Sequence, residues 1–444
     1  MSLLSRNKVV EVENNMSQAP SRAKIHLERM MHRSSIAVQG ESAASYALLK
    51  LIPAANSGAA NIRIQLAMVL DVSGSMYEED GTGISRLNRI QEAANSALEY
   101  LRPTDTIAIV AFANNAELVL PATPVSEKAR IMDVINKIDM FNVDAGGTSM
   151  DQGIDLGLAE LRKTKDESSV SQLVVLTDGE TTGEQLCRDY ARKAPEEKIR
   201  FSVIGVGTEW NSSLIKDIAS LSNGSWYYID VQEVGSAKKV FAAEFQSLAS
   251  VGFRDVEIHL KPLKDIRVKR FRMVVPEIKD LAVQEVSERH QIIKLGTLEK
   301  DKTSKYLLDL SLPKRPDGKF KLLDIEIFFD TGIAGRETSG AVPLEMTYTA
   351  AGQGYINAEV ARHIDEVQIF ELNKNLQNAI TAGNAQEATR VAQSIEKKGE
   401  IMGARAAKKT MLAKQVLSEI NQGGRVSKKT QLAVDDAARA AEEI

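Results

Sequence analysis

The stretch IQLAMVLDVSGSM, Ile64 to Met76, decides the fold. Its first part, Ile64–Leu70, is apolar apart from Gln65, and such a run suits a strand buried on both faces in a parallel sheet. Its second part turns polar at once. Asp71, Ser73 and Ser75 therefore fall at the C-terminal mouth of the strand, where open α/β sheets place their sites. The three are spaced i, i+2 and i+4, and Gly74 lets the backbone bend tightly between the serines. One carboxylate and two hydroxyls can then converge on a point. A donor set of oxygen alone suits a hard divalent cation, Mg²⁺ or Mn²⁺, and disfavours structural zinc.

Outward from this stretch, residues 62–250 alternate strands with helices. Further apolar runs stand at Ile107–Phe112, Leu173–Thr177, Phe201–Val206 and Trp226–Ile229. Helical patterns lie between and after them, near 85–102, 126–138, 149–163, 183–194, 212–222 and 236–249. This alternation predicts an α/β unit, a doubly wound, Rossmann-like parallel sheet. Two more loops offer oxygen: Gly146–Met150 (GGTSM) supplies Thr148 before a helix, and Thr177–Glu180 (TDGE) supplies Asp178 after a buried strand. In the strand order 3-2-1-4-5-6 the Asp71 strand lies beside the Asp178 strand at the switch point. Three loops distant in sequence then meet.

These residues carry a resemblance. Residues ~64–250 resemble a von Willebrand factor type A domain, and DVSGS, Thr148 and Asp178 together match that family's metal-ion-dependent adhesion site. The resemblance implies that Asp71, Ser73, Ser75, Thr148 and Asp178 hold the metal, expected to be Mg²⁺ with Mn²⁺ or Ca²⁺ as alternatives. It further implies direct ligation by the serines and largely water-mediated ligation by the aspartates. The whole chain is similar to bacterial proteins related to the calcium-activated chloride-channel-like and inter-alpha-trypsin-inhibitor heavy-chain groups, which set β-structure around a type A domain. One departure stands out: Tyr77–Leu87 (YEEDGTGISRL) intervenes before the helix, where relatives often pass quickly through a Gly and a Lys. It carries the acidic loop Glu78–Asp80, read as solvated, with selection of a basic partner as the other reading.

The flanks differ. Residues 1–20 are polar and aperiodic, as in a flexible arm. Within 21–61, Ser45–Pro53 reads as a strand that joins a later sandwich. From 253 to 350 helical periodicity gives way to short alternating runs: Val256–Pro262, Leu281–Val286, Gln291–Gly296, Lys305–Pro313, Phe320–Phe329 and Val342–Thr349. They predict a β-sandwich, with the α/β unit inserted into it. Residues 354–444 are helical again, with apolar stripes at Val360, Ile364, Val367, Leu372, Leu376 and Ile380, then Ala388, Val391, Ala392 and Ile395, then Met411, Leu412, Val416 and Ile420. Gly383–Asn384 is a helix stop and restart.

Composition excludes several classes. The chain has 444 residues, a net charge of −4 and a single cysteine, Cys187. That balance argues against a general nucleic-acid or membrane-surface binder, and one cysteine rules out an intrachain disulfide. No apolar stretch approaches the ~20 residues of a membrane span. The expected compartment is the cytoplasm. Catalysis is not expected. Ser73 stands where a DxD phosphotransferase would carry its second acid, and His26, His32, His259, His290 and His363 all lie outside the α/β segment. No phosphate loop, HExxH or GxSxG motif occurs. Nine Lys/Arg between Glu396 and Thr430 read as a solvated helix face. The expected function is metal-dependent protein–protein interaction, in which the bound ion recruits an Asp or Glu of a partner. Adaptors of ATP-driven remodelling machines and metal-mediated homo-oligomers are the other readings.

Overall fold

The computed structural model describes residues 24–38, 43–54, 62–79, 83–141, 143–144, 146–166, 169–178, 181–207, 211–231, 233, 235–332, 335–352, 354–423 and 425–440. The arm 1–20, Asp80, Gly179 and Glu180 lie outside them.

Three strands come first: β1 (Ile25–Met31), β2 (Ser35–Ala37) and β3 (Ala43–Pro53). The segment before residue 62 thus supplies three strands rather than the one expected, and β1 pairs antiparallel with β3.

The α/β unit follows with β4 (Arg63–Asp71), α1 (Arg86–Ala97), β5 (Thr106–Phe112), β6 (Ala116–Pro124), α2 (Lys128–Asn136), α3 (Met150–Lys163), β7 (Ser169–Thr177), α4 (Glu184–Lys193), β8 (Ile199–Val206), α5 (Ser212–Leu221), β9 (Ser225–Ile229) and α6 (Ser236–Ala249). Its sheet runs β6-β5-β4-β7-β8-β9. Counted within the unit this is 3-2-1-4-5-6, so the Asp71 and Asp178 strands are neighbours, parallel from Arg63↔Ser169 to Leu70↔Leu176. The β4 residues Ile64, Leu66, Met68 and Leu70 pack against α1, α2 and α6; Ala67 and Val69 pack on the other face with α3, α4 and α5. Helix α3 lies close on the sheet because it has glycines there: a Cβ at Gly157 would stand 2.6 Å from Leu173 Cδ1, and one at Gly153 2.7 Å from Val69 Cγ1.

Strand β6 escaped the sequence reading. Pro121 and Pro124 interrupt its pattern. Prolines are tolerated at a sheet edge, where part of the ladder needs no donor, and β6 is that edge, antiparallel to β5.

The remaining strands are β10 (Val251–Pro262), β11 (Arg267–Val275), β12 (Lys279–Leu281), β13 (Gln284–Ser287), β14 (His290–Glu299), β15 (Ser304–Leu312), β16 (Gly318–Asp330), β17 (Arg336–Thr338) and β18 (Val342–Thr349). They build two sheets, β1-β3-β15-β11-β12 and β13-β14-β10-β16-β18-β2, with β17 on β16. Facing side chains of both sheets form one apolar core. β3 ends in one sheet and β10 begins in the other, so the α/β unit sits between two strands of the sandwich. Two expectations need correction. Leu281–Val286 is not one strand; it splits into β12 and β13, which belong to different sheets. β11 (RVKRFRMVV) was missed because its four basic residues hide the alternation.

Four helices close the chain: α7 (Ala358–Thr381), α8 (Ala385–Met402), α9 (Ala407–Gly423) and α10 (Lys428–Arg439). Asn384 caps α8, its side chain accepting from the Glu387 N–H. Val360, Ile364 and Val367 of α7 pack on Leu48, Val274 and Leu307, on the outer face of the five-stranded sheet. Met411 leaves its stripe and is exposed. Helix α10 returns to the α/β unit: Leu432 enters the core beside α5, and the Arg439 guanidinium stacks 3.5 Å from the Trp226 ring. The basic stretch is only partly a solvated face. Lys409 is buried and donates to the Ala440 carbonyl, while Lys398 and Lys429 pair with Asp365 and Asp230. Cys187 is buried in α4, and burial above all, then the Asp151 charge, pushes its thiol up to about 12, as expected of an inert structural cysteine. No helix among the described residues is long and apolar enough to cross a membrane.

Candidate metal centre

The site forms where β4 and β7 end side by side. After Asp71 the chain makes one 3-10 turn, Gly74–Tyr77, closed by the Met76 N–H on the Ser73 carbonyl at 3.0 Å. Met76 is fully buried in the core under α1. That anchor pulls the turn back over the sheet edge and aims the serines inward. Asp71 closes the loop from its other side: its Oδ1 accepts the Ser73 N–H at 2.9 Å, and its Oδ2 accepts the Thr177 hydroxyl at 2.8 Å. The Ser73 and Ser75 Oγ atoms stand 3.2 Å apart, and the Ser75 hydroxyl donates to Asp178 Oδ1 at 2.7 Å. Four of the five expected residues thus form one hydrogen-bonded group.

Thr148 is tied to the same edge through the backbone. Its carbonyl accepts the Thr181 hydroxyl at 2.9 Å, three residues beyond Asp178. The neighbouring Ser149 N–H donates to the Ala113 carbonyl, while the Val72 N–H donates to Phe112, at 2.9 Å. The end of β5 therefore sits as a spacer between the Thr148 loop and the Asp71 loop.

The electrostatics fit a cation. Asp71 and Asp178 are both buried. Burial above all, and also the Asp178 charge, pushes the Asp71 carboxyl up to about 6, although hydrogen bonds from Ser73 and Thr177 pull it down. A buried carboxylate held against its preference is one that a positive charge would relieve. Among the described residues no three His, Cys, Asp or Glu side chains gather as metal ligands. A cation held here would rely on hydroxyl oxygens, and this donor set fits a hard divalent ion.

One residue of the site was not singled out from the sequence. Arg86, the first residue of α1, donates from Nη1 to Asp178 Oδ2 at 2.8 Å and reaches the Ser75 carbonyl at 3.4 Å. Its Nη2 pairs with Glu78 at 2.8 Å. The available signal was a basic residue at the start of the helix after the serine loop. Glu78 is accordingly bound to the site by this ion pair, and Glu79 bridges Ser85 across the inserted loop. Tyr77 stands exposed at the end of the serine turn, with Asp139 near enough to help burial raise its hydroxyl pKa.

Comparison with known proteins shows the fold. The family model of the von Willebrand factor type A domain matches residues 66–180. The chain superposes on a von Willebrand factor type A structure from Catenulispora acidiphila with a TM-score of 0.78. The match covers 97% of this chain and all of that one, at 14% identity, which shows a common fold over the α/β unit, the sandwich and the helices. The ArnB paralog VWA2 from Sulfolobus acidocaldarius superposes with a TM-score of 0.56 at 17% identity, over 94% of this chain and 98% of that one. The α/β unit of this chain has the fold of a von Willebrand factor type A domain.

In sequence, the chain is 28% identical over 341 residues to an uncharacterized protein of Synechocystis, covering 75% of this chain and 78% of that one. It is 26% identical over 224 residues to an uncharacterized protein of Escherichia coli, covering 49% of this chain but only 37% of that relative's length.

Proposed function

We propose that this chain is a metal-dependent protein-interaction module. Asp71, Ser73, Ser75, Thr148 and Asp178 would hold a Mg²⁺ ion, or Mn²⁺ in its place. A bound divalent ion supplies an electrophilic position that a partner's Asp or Glu can fill. The observation that carries this reading is the hydrogen-bonded cluster of the two serine hydroxyls with Asp178 beside the buried, pKa-raised Asp71.

The serines remain neutral at any physiological pH, so direct hydroxyl ligation does not quench the ion's charge. Asp71 and Asp178 balance that charge from below, where the sheet buries them. The exposed Tyr77 at the end of the serine turn gives a partner an aromatic contact beside the polar centre, as interface hot spots often do. Histidine is absent from the described site, and Asp71, whose carboxyl is pushed up to about 6, is buried with both oxygens engaged by Ser73 and Thr177 rather than open to a substrate. A binding role is favoured over catalysis for that reason. The buried, unpaired Cys187 is in keeping with a reducing compartment, and we place the protein in the cytoplasm.

Calorimetric titration with Mn²⁺ and Mg²⁺ tests the ion: wild type binds one equivalent and Asp71→Ala binds none. Affinity capture from native lysate in Mg²⁺ or in EDTA tests the partner, which should be lost with EDTA and with Asp71→Ala alike. A partner retained by Asp71→Ala with unchanged cation dependence would sink the proposal.

A further inference from the structure

We infer that Arg86 is a charge-setting residue of the metal site: it weakens the hold on the cation and leaves the loaded site with a surplus positive charge that favours an incoming carboxylate. The inference rests on the metal reading above and adds a residue to it.

The geometry divides Asp178 between two claims. Oδ1 accepts from the Ser75 hydroxyl at 2.7 Å, and Oδ2 accepts from the Arg86 guanidinium at 2.8 Å. The Asp178 carboxylate has no solvent exposure and the Arg86 side chain has 16%, so water screens this pair poorly. Glu78 holds the far side of the guanidinium, but its own side chain is 63% exposed and compensates weakly. The guanidinium also reaches the carbonyl of Ser75, so it braces the turn that carries both hydroxyls.

Charge arithmetic sets the direction. Asp71 and Asp178 contribute −2, and a divalent ion would bring them to zero. A site of zero net charge attracts an anion only at short range, through the ion's open position. With Arg86 the same group stands at −1 without the ion and +1 with it. The guanidinium therefore repels the cation and attracts the partner's carboxylate. The inserted loop Tyr77–Ser85 tunes this balance through Glu78, its one ion pair to the guanidinium among the described residues.

Mn²⁺ titration of the full chain tests this by calorimetry, with Arg86→Gln, Arg86→Lys and Glu78→Gln compared with wild type. A divalent ion and a guanidinium about 6 Å apart repel by roughly tenfold in affinity even at the dielectric of bulk water. Arg86→Gln should bind Mn²⁺ roughly tenfold more tightly, and Arg86→Lys about as wild type does. Glu78→Gln, a surface change with little folding risk, should bind about twofold more weakly, with the difference fading at high salt. Acetate, as a carboxylate probe, should displace Mn²⁺-bound water from wild type at lower concentration than from Arg86→Gln, read by water proton relaxation. Unchanged or weaker Mn²⁺ binding by a folded Arg86→Gln, or tighter binding by Glu78→Gln, overturns the inference and leaves the metal reading intact. Absence of Mn²⁺ binding by wild type overturns both.

Discussion

The two ends of the six-stranded sheet each bury carboxylates and treat them in opposite ways. At the end where the strands begin, Asp105 is wholly buried and fully met. Its Oδ1 accepts the Ile64 N–H at 2.9 Å, and its Oδ2 accepts the Arg102 N–H at 2.8 Å. The Arg102 guanidinium adds contacts to both oxygens at 3.3 Å. That carboxylate joins the start of β4 to the start of β5, and its role ends there. At the end where the strands finish, Asp71 and Asp178 face one another's charge, and the guanidinium that reaches this edge pairs with Asp178. Equal burial thus leads to different roles. Donors that match its needs make Asp105 a brace, whereas Asp71 is left facing a like charge that a cation would relieve.

The largest effect should come from removing the brace. Asp105→Ala leaves two buried backbone donors and a guanidinium without their acceptor, and should lower the unfolding free energy by about 3–4 kcal/mol in urea titration. A loss under about 1 kcal/mol would erase the contrast between the two ends.

The second test uses pH, with chelator present. The folded Asp71 carboxyl titrates near 6, above its ordinary 3.8, so the folded state keeps a proton that the unfolded chain releases. That proton's contribution is complete below about pH 4 and is lost as pH rises through about 6. Asp71→Asn has no such loss. Its stability relative to wild type should therefore climb by about 2 kcal/mol between pH 4 and 7, with no further change above. A flat difference would mean that Asp71 is as well satisfied as Asp105.

Smaller effects sharpen the picture. Arg102→Gln keeps the two backbone donors on Asp105 and should cost about 1–2 kcal/mol, less than the loss of the carboxylate itself. Thr177→Val removes one buried hydroxyl from Asp71 Oδ2 and should cost about 1 kcal/mol at pH 7.

Much of the site was legible because its signals are local. A both-faces-apolar strand followed by Asp71-x-Ser73-Gly-Ser75 names its own place at a sheet edge, and the strand order of doubly wound sheets brings Asp178 beside it. The helices of the α/β unit were legible for the same reason, since their periods are short. The sandwich and the edge strand of the six-stranded sheet were harder. β11 carries basic residues through a strand, β6 carries prolines, and the turn after Leu281 moves the chain from one sheet to the other. Each is settled by what lies across the sheet.

By itself, the sequence determined the alternating architecture, the place of Asp71, Ser73, Ser75 and Asp178 at one sheet edge and the absence of histidine between residues 33 and 258. Those properties reside in residue type and spacing. Only the tertiary structure decided which charges stand beside the site. Arg86 meets Asp178 across 92 residues, and α10 meets β9 across 213 through Arg439 and Trp226. Such pairings depend on how separate elements pack, and no short-range pattern in the chain encodes them.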